Sequence, residues 1–128
     1  MIIAIDFDGT VVTHEFPEVG ESAGAENVLK ALVDNGHKLI LNTMRSHKDI
    51  EGRDTLADAE KWFKDNGIEL YGVNENPTQV LWTDSPKVYA NLYIDDSALG
   101  CPKRRLKNGR YVVDWVVIEE LFKQSGII

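Results

Sequence analysis

The run Met-Ile-Ile-Ala-Ile-Asp-Phe-Asp-Gly-Thr at residues 1–10 drives an apolar, β-branched stretch straight into two aspartates one residue apart, a glycine and a threonine. Far downstream, Leu92-Tyr93-Ile94-Asp95-Asp96 repeats the arrangement with two adjacent acids. In a parallel sheet both segments deliver their carboxylates to the C-terminal edge, where doubly wound folds place ligands. Asp6, Asp8, Asp95 and Asp96 are therefore expected to meet in space. Like charges a few ångströms apart raise one another's pKa unless a cation neutralises them, and oxygen-only ligands suit magnesium best. Taken alone, Asp95-Asp96 reads equally well as a turn or a helix cap. The alternating acids of Asp6-Phe7-Asp8 carry more weight, because Gly9 behind them lets the backbone approach a ligand.

With 128 residues the chain is expected to form one domain, residues 1–128, with no room for a second. Hydrophobic residues make up 43% and charged ones 27%, which excludes a disordered chain. No apolar run approaches the ~20 residues that span a bilayer, and there is no basic and apolar leader, so no membrane role and a cytoplasmic location are expected. The single cysteine, Cys101, fits a reducing compartment and has no base beside it in sequence to make it a catalytic thiol. A net charge of −7 argues against a nucleic-acid partner, since backbone binding relies on clustered Lys and Arg. The one basic cluster, Lys103, Arg104, Arg105, Lys107 and Arg110, reads as a solvated hairpin with turn Lys107-Asn108-Gly109 in preference to a polyanion patch. His14, His37 and His47 lack metal-ligand spacing, so zinc chemistry is not suggested.

Along the chain, residues 11–21 read as an irregular loop broken by Pro17 and Gly20. Ser22 is the expected N-cap of a helix with Ala25, Val28, Leu29 and Leu32 on one face, stopped at Asn35-Gly36. A strand over His37–Leu41, with Lys-Leu-Ile-Leu as its run, leads into Asn42-Thr43. A second helix, capped by Asp54 or Thr55, carries Leu56, Ala59 and Phe63 on its stripe with Glu60 and Lys64 paired, and stops at Asn66-Gly67. Leu70 to Val73 reads as a third strand, Val80-Leu81-Trp82 as a short strand or a turn packed on the core, and Leu92–Ile94 as a strand. A terminal helix with Asp114 as N-cap is expected to bury Trp115, Ile118, Leu121 and Phe122. Strand and helix alternate, which predicts an α/β fold, a Rossmann-like three-layer sandwich with a mainly parallel sheet. Between Asp8 and Thr43 there is space for one loop and one helix, and between Thr43 and Lys87 for the core's own elements, so no cap domain is expected.

Strand ends thus carry Asp6 and Asp8, then Thr43, then Lys87 ahead of its strand, then Asp95 and Asp96. That order resembles the haloacid dehalogenase-like superfamily of phosphohydrolases, whose motifs are Asp-x-Asp, a Thr or Ser, a Lys and a terminal acidic pair. The resemblance covers roughly residues 1–100, and Asp6-Phe7-Asp8-Gly9-Thr10-Val11-Val12 is its most specific part. The stretches Asn42–Ser46, Gly72–Pro77 and Lys87–Gly100 look like a subgroup of small capless bacterial and phage members. That subgroup often has Trp-Thr-Cys-Arg where this chain has Asn42-Thr43-Met44-Arg45.

The resemblance implies a magnesium-dependent phosphoric monoester hydrolase. Asp6 would be the nucleophile that becomes an aspartyl phosphate and Asp8 the general acid and base. Thr43 would donate to a phosphoryl oxygen, and Lys87 would stabilise the transition state. Magnesium would sit on the Asp6 carboxylate, the Asp8 backbone carbonyl and Asp95, with Asp96 acting through water or through Lys87. Arg45 and Asn74 are candidate substrate contacts, Arg45 for a distal anionic group, although a surface role for Arg45 and turn chemistry for Asn74 fit the residues equally. The expected substrate is a small phosphorylated metabolite. A polynucleotide 3′-phosphatase or a phosphotransferase of the same fold, and a non-catalytic phospho-receiver or phosphate-binding module, remain open alternatives. The third strand ends in Val73-Asn74 without an acid, which counts against a receiver.

Overall fold

A computed structural model describes residues 1–128. Four strands, β1 (Ile2–Ile5), β2 (Lys38–Leu41), β3 (Gly72–Val73) and β4 (Leu92–Ile94), form one sheet in the order β3-β2-β1-β4, every pair parallel. β1 and β2 lie inside the sheet, and Ile3, Ala4, Ile5, Leu39, Ile40 and Leu41 are all buried. That is why both read as unbroken apolar runs rather than alternating ones. Three helices, α1 (Glu26–Asp34), α2 (Thr55–Asp65) and α3 (Trp115–Gln124), complete an α/β fold of Rossmann-like character. Strands β5 (Lys103–Arg105) and β6 (Tyr111–Val113) form the expected antiparallel hairpin between β4 and α3.

Two of the helix starts follow the local rule for side-chain caps. Asp54 accepts from the Ala57 N–H, and Asp114 accepts from the N–H groups of Val116 and Val117. Helix α1 instead begins after Ala25, which offers no side-chain cap; Ser22 turns its hydroxyl onto the Gly24 N–H in a local turn three residues earlier. The buried stripes are Val28, Leu29 and Leu32 on α1, Leu56, Ala59 and Phe63 on α2, and Trp115, Ile118 and Phe122 on α3. Leu121 is 46% exposed and lies off its stripe. On α2 the observed ion pair is Lys61–Asp65 in place of Glu60 with Lys64. No helix is long and apolar enough to cross a membrane.

The segment between β3 and β4 holds no α-helix. Residues Gln79–Leu81 make a short 3-10 turn, and Val80, Leu81 and Trp82 are exposed, so this apolar triplet is neither strand nor core. Two buried amides hold the irregular backbone together. Gln79 donates to the carbonyls of Lys87 (2.6 Å) and Ser85 (3.2 Å) and accepts from the Tyr89 N–H (2.7 Å), while Asn76 donates to the Tyr89 carbonyl (3.1 Å). They do for this loop what a sheet neighbour would do for a strand, since buried backbone polar groups need partners.

Candidate active site

Strand register places the site before any side chain is considered. Ile5 is level with Leu41 and with Ile94, and Leu41 with Val73, so the next residues at the C-terminal edge are Asp6, Asn42, Asn74 and Asp95. The chain leaves β1 through a tight turn in which the N–H groups of Thr10 and Val11 both reach the Phe7 carbonyl, and Gly9 takes φ +78°. The hairpin closes on this turn through the Val113 N–H, which donates to the Gly9 carbonyl at 3.1 Å.

Asp6, Asp95 and Asp96 converge, each offering a carboxylate oxygen within 4.8 Å of the others. Thr10, fully buried, joins them: its hydroxyl donates to Asp6 Oδ2 at 2.9 Å, lies 3.4 Å from Asp96 Oδ1 and accepts the Asp96 N–H at 3.1 Å. The Trp115 indole N–H donates to the Thr10 carbonyl at 2.7 Å and pins the turn to α3. The Asp95 Oδ1 accepts the Ser97 N–H at 2.8 Å. No Lys or Arg pairs with any of the three acids. Burial pushes the Asp6 carboxyl up to about 8, helped by the Asp96 carboxyl beside it and the charge of Asp95; the Thr10 hydroxyl and the Phe7 N–H pull the other way. Three oxygen donors without a protein cation could hold a small, hard divalent ion.

Asp8 stands outside this trio and faces Arg45. The two side chains form a bidentate pair, Nε to Oδ2 at 2.8 Å and Nη2 to Oδ1 at 2.7 Å. The remaining guanidinium N–H groups go to the carbonyls of Pro17 (3.3 Å), Glu18 (2.8 Å) and Thr55 (3.1 Å). The rings of Phe7 and Phe16 lie against the guanidinium at 5.0 and 5.2 Å. Arg45 is 2% exposed, and all five of its donors are committed. In this arrangement it has no N–H for a distal anionic group and no surface role; it is a buried partner of Asp8.

Thr43 sits at the same edge, half-buried, with its own N–H bonded to Asn74 Oδ1 at 2.8 Å and its hydroxyl oxygen accepting the Arg45 N–H at 3.1 Å. Its hydroxyl proton is bonded to no protein acceptor and is available to a ligand. Asn74, at φ +53°, also reaches the Arg45 carbonyl at 3.4 Å, so its amide braces the Thr43–Arg45 loop from β3. That bracing uses one amide N–H; Asn74 is exposed, and its second amide N–H is bonded to no protein acceptor. Lys87 is exposed, and its ammonium lies 5.7 Å from the Tyr93 ring centre, with no ion pair to Asp96 or any other acid. A 660 Å³ cleft lies between the 13–21 loop and the hairpin tip, lined by Glu15, Glu18, Glu21 and Lys107 among others, and the acid trio is not part of its wall. The acid trio lies instead at the open edge where the strands end.

Two residues of the site escape a reading by strand ends. Thr10 is signalled by its place after Asp-x-Asp-Gly; Trp115, 105 residues away from Thr10, has no local signal at all. No family model and no curated protein matches the chain. A solved structure, that of a conserved protein from Bacteroides thetaiotaomicron, is similar to it over 98% of this chain and 91% of the other, at 34% identity and a TM-score of 0.75.

Proposed function

We propose that this chain, which belongs to the same family as the conserved Bacteroides thetaiotaomicron protein, is a magnesium-dependent phosphatase that works through an aspartyl phosphate on Asp6. The reading places it among the small capless members of the haloacid dehalogenase-like superfamily, a three-layer Rossmann-like domain acting in the cytoplasm, where its free Cys101 is at home. The observation that carries it is the convergence of Asp6, Asp95 and Asp96 at neighbouring parallel strand ends. A magnesium ion held by these three, when bound, supplies the positive charge that keeps Asp6 ionised and lets an anionic nucleophile meet an anionic phosphate.

The chain's own residues do the rest. An Asp6 oxygen forms a bond to phosphorus as the bond to the leaving oxygen breaks, and Asp8 gives that oxygen a proton. Water then attacks the phosphorus, Asp8 takes a proton from it, and the bond between Asp6 and phosphorus breaks to release inorganic phosphate. Thr43, whose hydroxyl proton no protein acceptor takes, donates it to a phosphoryl oxygen. Lys87 acts by leaving the Tyr93 ring for the phosphate. The substrate is a small phosphorylated metabolite, in keeping with the net charge of −7.

Phosphate release from a panel of phosphosugars, nucleotides and nitrophenyl phosphate, with magnesium and with excess chelator, tests the reading. Chelator-sensitive turnover that is lost in Asp6→Asn supports it; full activity in chelator defeats it. Lys103, Arg104 and Arg105 are all exposed on the hairpin that closes on Gly9, which favours a phosphorylated oligonucleotide as second substrate reading. A steep fall of kcat/KM with salt, flattened by Arg104→Ala and Arg105→Ala, would favour that reading.

A further inference from the structure

We infer that Arg45 is the positioning residue for Asp8, fixing the plane of its carboxylate for proton transfer and fastening that carboxylate to the 16–18 segment and to the start of α2. This rests on the phosphatase reading, which makes Asp8 the proton carrier. A carboxylate on a short side chain has two χ angles to choose; the Arg45 fork removes both by taking one oxygen with Nε and the other with Nη2. Each Asp8 oxygen keeps a second lone pair, and no other protein donor uses it. The Asp8 side chain is 12% exposed, so those lone pairs are its remaining route for a proton. The carboxylate is held still yet kept chemically free.

Arg45 is fixed in its turn. Carbonyls of Pro17, Glu18 and Thr55 take its other three N–H groups. Phe7, the residue between the two aspartates, backs one side of the guanidinium, and Phe16 covers it from the loop. Bonds within the motif alone would leave Asp8 at the mercy of a surface loop. Here the loop, α2 and the strand-end turn all hold the same planar group, which is what a bidentate pair needs and a lysine cannot supply. Asp6, Asp95 and Asp96 take no part in this network, so positioning of Asp8 is separable from the metal cluster.

The test compares a poor leaving group, an alkyl phosphate, with an activated one, nitrophenyl phosphate. Only the former needs a well-placed acid. Arg45→Lys is expected to lower kcat on the alkyl phosphate by roughly 10- to 100-fold and on nitrophenyl phosphate by less than about 3-fold, with KM little changed. In an Asp8→Asn background the same change should cost nothing further on the alkyl phosphate. Phe16→Ala, which uncovers the guanidinium at a half-exposed position and leaves the ion pair's partners in place, should show a smaller loss with the same selectivity, so the idea survives a poorly folding Arg45 variant. Added guanidinium should restore part of the alkyl-phosphate rate to Arg45→Ala. Independent of turnover, Arg45→Lys and Asp8→Asn should be non-additive in denaturant midpoint. Equal losses with both leaving groups in an active enzyme overturn the positioning role alone. Wild-type protein that turns over neither ester defeats the phosphatase reading and this inference with it.

Discussion

Gly9 and Asp96 leave no room for a methyl group between them: a Cβ at Gly9 would stand 2.5 Å from Asp96 Oδ2. Gly9→Ala therefore combines the cost of φ +78° with displacement of a carboxylate in the acid trio. We expect about 2–4 kcal/mol lost in denaturant unfolding. The magnesium requirement should rise in step. Gly36→Ala, at φ +84° with open space where its Cβ would be, isolates the backbone cost and should lose about 1 kcal/mol with no change in metal response.

Asp6 makes the metal-free protein sensitive to pH. Its carboxyl titrates near 3.8 when unexposed to the fold and about 8 in it, so the folded chain binds the proton more tightly. The stability this contributes is whole below the unfolded value and is lost as pH rises through the folded one. In chelator, Tm should fall between about pH 4 and pH 8. Asp6→Asn should flatten that slope, and saturating magnesium should flatten or reverse it in the wild type. A chelated wild type with a level profile across this window would contradict the burial of Asp6.

Thr10→Val removes one hydroxyl and almost no volume. Asp6 loses a donor and the Asp96 N–H loses its acceptor, so we expect about 1–3 kcal/mol of destabilisation. Because that hydroxyl holds the Asp6 value down, the pH window of the metal-free protein should move upward. Melting curves at several pH values check both effects.

Lys87→Ala separates a catalytic cation from a surface one. The ammonium over Tyr93 is exposed, so stability should change by less than about 1 kcal/mol. If Lys87 reaches the phosphate during turnover, kcat should fall by about 100- to 1000-fold. Unchanged turnover would assign charge stabilisation to another group.

What could be read from the sequence was what local rules govern. β1 shows itself through a β-branched run with charged residues at its end, and the caps of α2 and α3 through aspartates that bond to N–H groups two and three residues on. Ser22 misleads because a hydroxyl that accepts the N–H two residues on, here that of Gly24, closes its own turn as readily as it caps a helix. The meeting of Asp6 with Asp95 and Asp96 follows from parallel pairing alone and was legible. The fate of Arg45 was not, since its acceptors lie 37, 28, 27 and 10 residues away and only the folded loop brings them round one guanidinium. Lys87 illustrates the same divide: its position in the chain fits the motif order, while its backbone is held by Gln79 and its ammonium lies over Tyr93, neither of which a spacing rule connects to it.

The indole bond from Trp115 to the Thr10 carbonyl has a bearing on how the protein comes into being. The acid trio draws on residue 6 and on residues 95 and 96, and the turn that carries Thr10 is fastened by a residue later still. During synthesis β1 is made early but waits for β4 before its second edge is paired, and for α3 before its terminal turn is secured. Closing loops of this length is slow and must precede the contacts that reward it. The mutually repelling carboxylates meet only once β4 is paired with β1, so a chain arrested before β4 would carry Asp6 without its partners, and one arrested before α3 would hold the trio without the indole bond that fastens the Thr10 turn.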